Sequence, residues 1–225
     1  MLAQRRRAAA NARRYGATGA AGYRRTSGYY GRFASAGTES KFLDTARAAA
    51  VPATTGTIMN NTLVTIPQNT TESGRIGRKV MLTKLFMQGH ILIPTTATNS
   101  ETSDIVRLIL YQDKQCNGAA ATVTDILESA DILSYRNLAN SGRFIVLADK
   151  KWVISCSTGS GNGTTDSYTE AYKAFKINKL MKVPLEYDST TGAITELRSN
   201  NIGVLAITET GVASLQYNVR VRYNE

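Results

Sequence analysis

The sequence has a single histidine, a single tryptophan, two cysteines and four prolines in 225 residues, and it has no apolar run of about 18 residues. These scarcities each remove a class of function. With only His90 and the widely separated Cys116 and Cys156, metal sites of the usual kind are excluded. A Ser-His-Asp or Cys-His centre would have to use His90, and no serine sits in a nucleophile-elbow string. His90 therefore reads as a structural, hydrogen-bonded residue within a strand. The stretch GSGNG at Gly159–Gly163 lacks the Gly-Lys-Ser/Thr ending of a phosphate-binding loop and reads as a flexible connection. Glu128 and Asp131 fall on a predicted helix and read as solvated. No cofactor, metal or catalytic residue is expected, and the chain is not read as an enzyme.

Other absences concern location. No segment is long and apolar enough for a membrane-spanning helix, so no membrane partner is expected. The N-terminus has charge with no apolar segment after it, which is not the pattern of a secretory signal. The Asn-x-Thr triplets at Asn60, Asn69 and Asn162 are then accidental, and the two cysteines read as reduced, packed thiols.

What the sequence has is cationic charge, unevenly placed. The formal net charge is +10. Residues 1–33 carry Arg5, Arg6, Arg7, Arg13, Arg14, Arg24, Arg25 and Arg32 with no Lys, Asp or Glu, a local charge of +8. The remaining residues hold 19 of the 27 basic side chains against 17 acidic ones. A nearly neutral body thus carries a cationic arm.

That arm contains no Val or Ile, and its only Leu is Leu2. Ordering it would cost about 1–2 kcal/mol per residue in backbone entropy, which so little apolar surface does not offset. We expect it to be disordered in isolation. Arginine's planar fork suits phosphate oxygens and stacks on bases. Tyr15, Tyr23, Tyr29 and Tyr30, with Phe33, lie among the arginines and are suited to stacking on unpaired bases. The pattern fits sequence-tolerant binding to single-stranded nucleic acid. Residues 34–52 read as a connector, and the basic cluster Arg75, Arg78 and Lys79 is a further candidate for phosphate contact. A mitochondrial transit peptide shares the Arg/Ser/Ala bias but needs an aliphatic helix face that is missing here. A nuclear import signal is compatible with the same clusters.

Residues 53–225 are β-rich. In Ser214–Tyr223, Leu215, Tyr217, Val219, Val221 and Tyr223 alternate with Gln216, Asn218, Arg220 and Arg222, the period of a half-buried antiparallel strand. Further strands are predicted at Thr57–Ile66, Val80–Ile93, Ile105–Tyr111, Arg143–Leu147, Lys151–Cys156 and Ile202–Thr208. In Tyr172–Leu185, lysines recur every three residues, which fits a helix face, but Pro184 and the missing cap favour an eighth strand. One short helix is predicted from Thr124 to about Ser134. Eight antiparallel strands in one domain suggest an all-β sandwich, with the jelly roll one topology among several.

Ordered strings narrow the choice. ESKFLDT (Glu39–Thr45), LVTIPQNTTESGRIGRKV (Leu63–Val80), IVRLILYQDKQCNG (Ile105–Gly118), TVTDIL (Thr122–Leu127), RFIVLADK (Arg143–Lys150), FKINKLMKVPLEYDSTTG (Phe175–Gly192) and the closing LQYNVRVRYNE follow one another. In this order they resemble capsid proteins of small circular single-stranded DNA viruses, the circovirus- and geminivirus-like group, over roughly Glu39 to the C-terminus. That resemblance implies a single eight-stranded jelly roll whose copies, about sixty in a T=1 shell, self-assemble into an icosahedral virion. It implies an arm that binds the single-stranded DNA genome and directs import to the host nucleus through import receptors. A Cys/His motif of some geminivirus-like relatives is missing. The competing reading is a nucleic-acid-binding protein that forms no shell, such as a ribosomal or ribonucleoprotein component.

Overall fold

The computed structural model describes residues 40–51, 55–93, 103–155, 158–159, 167–168 and 171–225. The arginines and tyrosines of residues 1–33 lie outside these, as do Cys156 and Asn162. Among the described residues, eleven strands run in chain order. They are β1 (Ser40–Ala50), β2 (Thr57–Asn60), β3 (Lys79–Ile93), β4 (Ser103–Asp113), β5 (Phe144–Ser155), β6 (Thr158–Gly159), β7 (Ser167–Tyr168), β8 (Ala171–Tyr187), β9 (Leu197–Ser199), β10 (Asn201–Thr208) and β11 (Ser214–Asn224). One helical turn, α1 (Val123–Ile126), lies between β4 and β5.

The five-stranded sheet has the order β1-β11-β3-β8-β9 and the four-stranded sheet β2-β10-β4-β5, with β6 and β7 pairing separately. With β9 and the β6–β7 pair set aside, eight strands remain. The first, eighth, third and sixth form one sheet; the second, seventh, fourth and fifth form the other. That interleaving is the jelly roll.

Alternation decides which side chains enter the space between the sheets. Leu85, Met87 and Ile91 from β3, Phe175 and Ile177 from β8, and the five apolar residues of β11 meet Val106, Leu108 and Leu110 of β4 and Val204 of β10. A second cluster forms on the far side of the four-stranded sheet. There Ile109, Tyr111, Leu205 and Ile207 pack beneath Ile126, Leu127 and Ile132 of the β4–β5 connection. Strands β4 and β10 are thus covered on both faces, which is why IVRLILY and IGVLAI read as continuous apolar runs without alternation. Gly203 is required by this packing, because a Cβ there would lie 2.3 Å from the Tyr111 hydroxyl.

Several expectations change. The stretch read as a connector contains β1, which pairs with β11 along all of Ser40–Ala50. Its alanine-rich sequence has no alternation of its own, and the partner strand supplies the conformation. The two runs predicted at Arg143–Leu147 and Lys151–Cys156 are one strand, β5. Its polar middle, Asp149–Lys151, is solvent-facing on a sheet edge and does not break the ladder. Eight main strands therefore stand with different members. Lysine spacing in Tyr172–Leu185 marks a strand, β8, as Pro184 indicated. Only Thr57–Asn60 of the Thr57–Ile66 run is strand, while Leu63, Val64 and Ile66 are buried loop residues. The helix is a single turn. Beyond it Leu127 is extended, and side chains claim the backbone: Ser134 Oγ accepts the Ser129 N–H at 2.9 Å and Asp131 Oδ1 the Leu133 N–H at 2.6 Å.

Asp104, at the start of β4, fixes the turn into β11. Its buried carboxylate accepts the N–H groups of Glu209 and Thr210 at 3.1 Å each and of Ala213 at 3.0 Å. Asp104→Ala strands those donors, and the expected cost is about 3 kcal/mol, read as a lower urea midpoint with unchanged slope. An unchanged midpoint would show that water serves the turn equally well.

Candidate nucleic-acid interface

The outward face of the five-stranded sheet collects the other half of each alternation. Across β1, β11, β3 and β8 the register places Phe42 by Arg222, Lys84 and Leu180; Asp44 by Arg220, Phe86 and Asn178; Ala46 by Asn218, Gln88 and Lys176; and Ala48 by Gln216, His90 and Ala174. Small side chains on the two flanking strands leave a trough floored by amides. One depression of about 520 Å³ is lined by Ala46, Ala48, Gln88, His90, Tyr172 and Lys176, among others. A second, of about 470 Å³, shares Ala46, Gln88 and Asn218 and extends to Phe86 and Arg220.

Aromatic rings stand at both ends. His90 and Tyr172 lie on adjacent strands with centroids 4.9 Å apart and planes tilted by 31°. The Arg220 guanidinium is 4.6 Å from the centroid of Phe42 and donates from Nε and Nη2, along one edge, to the two carboxylate oxygens of Asp44 at 2.7 and 2.5 Å. That pairing and its charge hold the Asp44 carboxyl below its ordinary value, against a smaller opposing effect of desolvation. Lys84, Lys176 and Arg222 have no carboxylate partner among the described residues. Four cations against one carboxylate, with aromatic planes and amide groups between them, are suited to a single strand. Such a surface offers cations for phosphates, rings for stacked bases and amides for base edges.

The residues singled out from sequence are distributed differently. Arg5, Arg6, Arg7, Arg13, Arg14, Arg24, Arg25, Arg32, Tyr15, Tyr23, Tyr29 and Tyr30 lie outside the described residues. Arg78 and Lys79 are exposed, with Lys79 Nζ 3.7 Å from Glu186. Arg75 is fully buried. Its Nε donates to the Ile66 carbonyl at 3.1 Å, Nη1 to Gly77 at 2.6 Å and Nη2 to Ser189, and it stacks 4.3 Å from the Tyr187 ring centroid. A guanidinium so occupied does not reach a phosphate outside the subunit, so the cluster contributes two surface cations, not three. Burial pulls the Arg75 guanidinium below its ordinary value.

Lysines spaced by three alternate between faces in a strand, so Lys176 joins the trough while Lys179 turns toward the core side and is only half exposed. The trough residues themselves, Lys84, Gln88, His90, Tyr172, Arg220 and Arg222, were not assigned to a site by the sequence. The signal was there: Gln216, Asn218, Arg220 and Arg222 form a polar and basic i, i+2 face.

Comparison with known proteins places this architecture. The family model of the satellite tobacco necrosis virus coat protein matches residues 32–225. The coat protein of Maize white line mosaic Satellite virus is 27% identical over 139 residues, 61% of this chain and 58% of the relative, so the chain spans a little over half of that relative's length. A solved structure of a 60-mer BFDV capsid protein matches 83% of this chain and 92% of its own at 13% identity, with a TM-score of 0.27, too low to carry an argument. The resemblance to circovirus- and geminivirus-like capsids is therefore overturned. The strings that suggested it are the strand patterns of this jelly roll, and an arginine-rich arm does not distinguish one genome from another. The chain belongs to the satellite tobacco necrosis virus coat protein family, and it is a structural protein of the virion, not an enzyme.

Proposed function

We propose that copies of this chain close into a small icosahedral shell, of about sixty subunits, around single-stranded RNA. The observation that carries the reading is the outward face of the β1-β11-β3-β8 sheet. Its cations Lys84, Lys176 and Arg222 have no carboxylate partner among the described residues, and they flank rings and amides on a coat-protein jelly roll. RNA takes the place of the DNA genome because the relatives in sequence are satellite virus coat proteins. The arginines of residues 1–33 supply the remaining share of the charge, about +480 per sixty copies, and Arg78 and Lys79 add exposed cations at the start of β3. Import to a host nucleus loses the DNA-virus resemblance as a ground and keeps only its compatibility with the arm's basic clusters.

Electron microscopy of the purified protein before and after nuclease treatment tests this. Uniform closed particles whose extracted contents are destroyed by ribonuclease and resist deoxyribonuclease are expected. A monomer at all concentrations, or protected DNA, contradicts the proposal.

A further inference from the structure

The β4–β5 connection, residues 114–143, lies over the four-stranded sheet, on the side of the sandwich away from the cationic trough. Its underside is core: Ile126, Leu127 and Ile132 are buried. Its upper side is the reverse of what a solvent-facing loop needs. Leu133, Tyr135 and Leu138 are 71%, 80% and 72% exposed within six residues.

Mobility does not explain this exposure, because the loop is tied down. The Glu128 N–H donates to the Tyr135 carbonyl at 3.0 Å and the Asn137 N–H to Ile126 at 2.9 Å. Asn137 Nδ2 donates to the Thr124 carbonyl at 2.9 Å and Asn140 Nδ2 to Asp125 at 3.1 Å. Arg107 is buried and holds the carbonyls on either side of Leu133. Its Nη1 reaches Ile132 at 3.1 Å and Ser134 at 2.7 Å, while its other edge pairs with Asp149 at 3.0 and 2.6 Å. Three large apolar side chains are thus displayed on a pre-formed surface. Little conformational entropy remains to be lost when a partner covers them.

Charge selects the partner. Residues 121–138 contain Asp125, Glu128 and Asp131 against Arg136, whose guanidinium donates to the Phe144 carbonyl. The segment is net −2 in a chain of net +10. Such a surface repels nucleic acid and attracts a cationic one, and the rest of the body, residues 34–120 and 139–225, carries 18 basic against 14 acidic side chains, a net +4. We infer that Leu133, Tyr135 and Leu138 form a contact with a second copy of this chain, seated on a positively charged part of that copy. The two sides of the sandwich then divide their tasks: one holds RNA, the other holds the next subunit. This rests on the shell reading above.

The test uses the full chain carrying Leu133→Ser, Tyr135→Ser and Leu138→Ser together, beside the single variant Leu138→Lys, which removes the apolar side chain and sets a cation against the partner's positive surface. Light scattering and sedimentation follow particle formation over a range of concentrations, and circular dichroism follows folding. The variants are expected to keep the wild-type spectrum and melting, since the three side chains lie outside the core. The concentration needed for particles should rise at least tenfold in both. If the triple variant misfolds, the single one alone decides. Particles from either folded variant at the wild-type concentration overturn the contact and leave the shell intact. A wild-type chain that never forms particles defeats the contact together with the shell.

Discussion

Removing residues 1–33 is expected to leave the β-body folded and, on the proposed function, its shells nearly empty of RNA. The described core runs from Val51 to Tyr223, and the first strand begins at Ser40, so the deletion takes no member of either hydrophobic cluster. What it removes is eight arginines per subunit, against four basic residues in the trough, one of which is already paired with Asp44. Phosphate neutralisation by these arginines releases counterions. The full chain should therefore lose RNA steeply with added salt, and the truncated chain should show a slope shallower by up to about 5–6 per subunit. The expected RNA content of purified truncated particles is about one tenth of wild type or less, measured by the ratio of absorbance at 260 and 280 nm and by gel after extraction. Equal RNA content in the truncated particles would shift the packaging role to the trough. Replacing Lys84, Lys176 and Arg222 with Glu would then be the decisive variant.

The legibility of this chain followed the range of the interactions involved. Strand β11 was readable because its alternation is written in ten consecutive residues. Strand β1 was not, because ARAAA becomes a strand only beside Leu215–Tyr217 and its neighbours, far away in sequence. The trough depends on four strands in register, and the pairing of His90 with Ala174, which brings Tyr172 against the imidazole, is a property of the sheet alone. Coat-like architecture was legible in the ordered strings. The genome type was not. Strand periodicity and arginine content answer to core packing and to phosphate, and phosphate is the same in RNA and DNA.

Arg75 illustrates the same limit and carries the largest expected effect on stability. In sequence it is indistinguishable from Arg78 three residues on. In the structure it fastens the loop before β3 to the turn after β8. It takes the carbonyls of Ile66, Gly77 and Ser189 while Tyr187 covers its plane and in turn donates to the Val64 carbonyl at 2.5 Å. The rigid fork of a guanidinium satisfies three acceptors at once, and the aromatic face offsets part of the desolvation. Arg75→Met keeps the length of the side chain and loses every donor. Buried carbonyls left without partners are expected to cost about 3–5 kcal/mol in total, enough to remove much of a small domain's stability. Arg75→Lys should recover only part of this, since one ammonium does not span all three carbonyls. Arg78→Met, on the exposed neighbour, should stay within about 0.5 kcal/mol. Urea unfolding of the three variants separates the alternatives. If Arg75→Met and Arg78→Met shift the midpoint equally, the buried fork contributes nothing special, and Arg75 belongs with the surface cations after all.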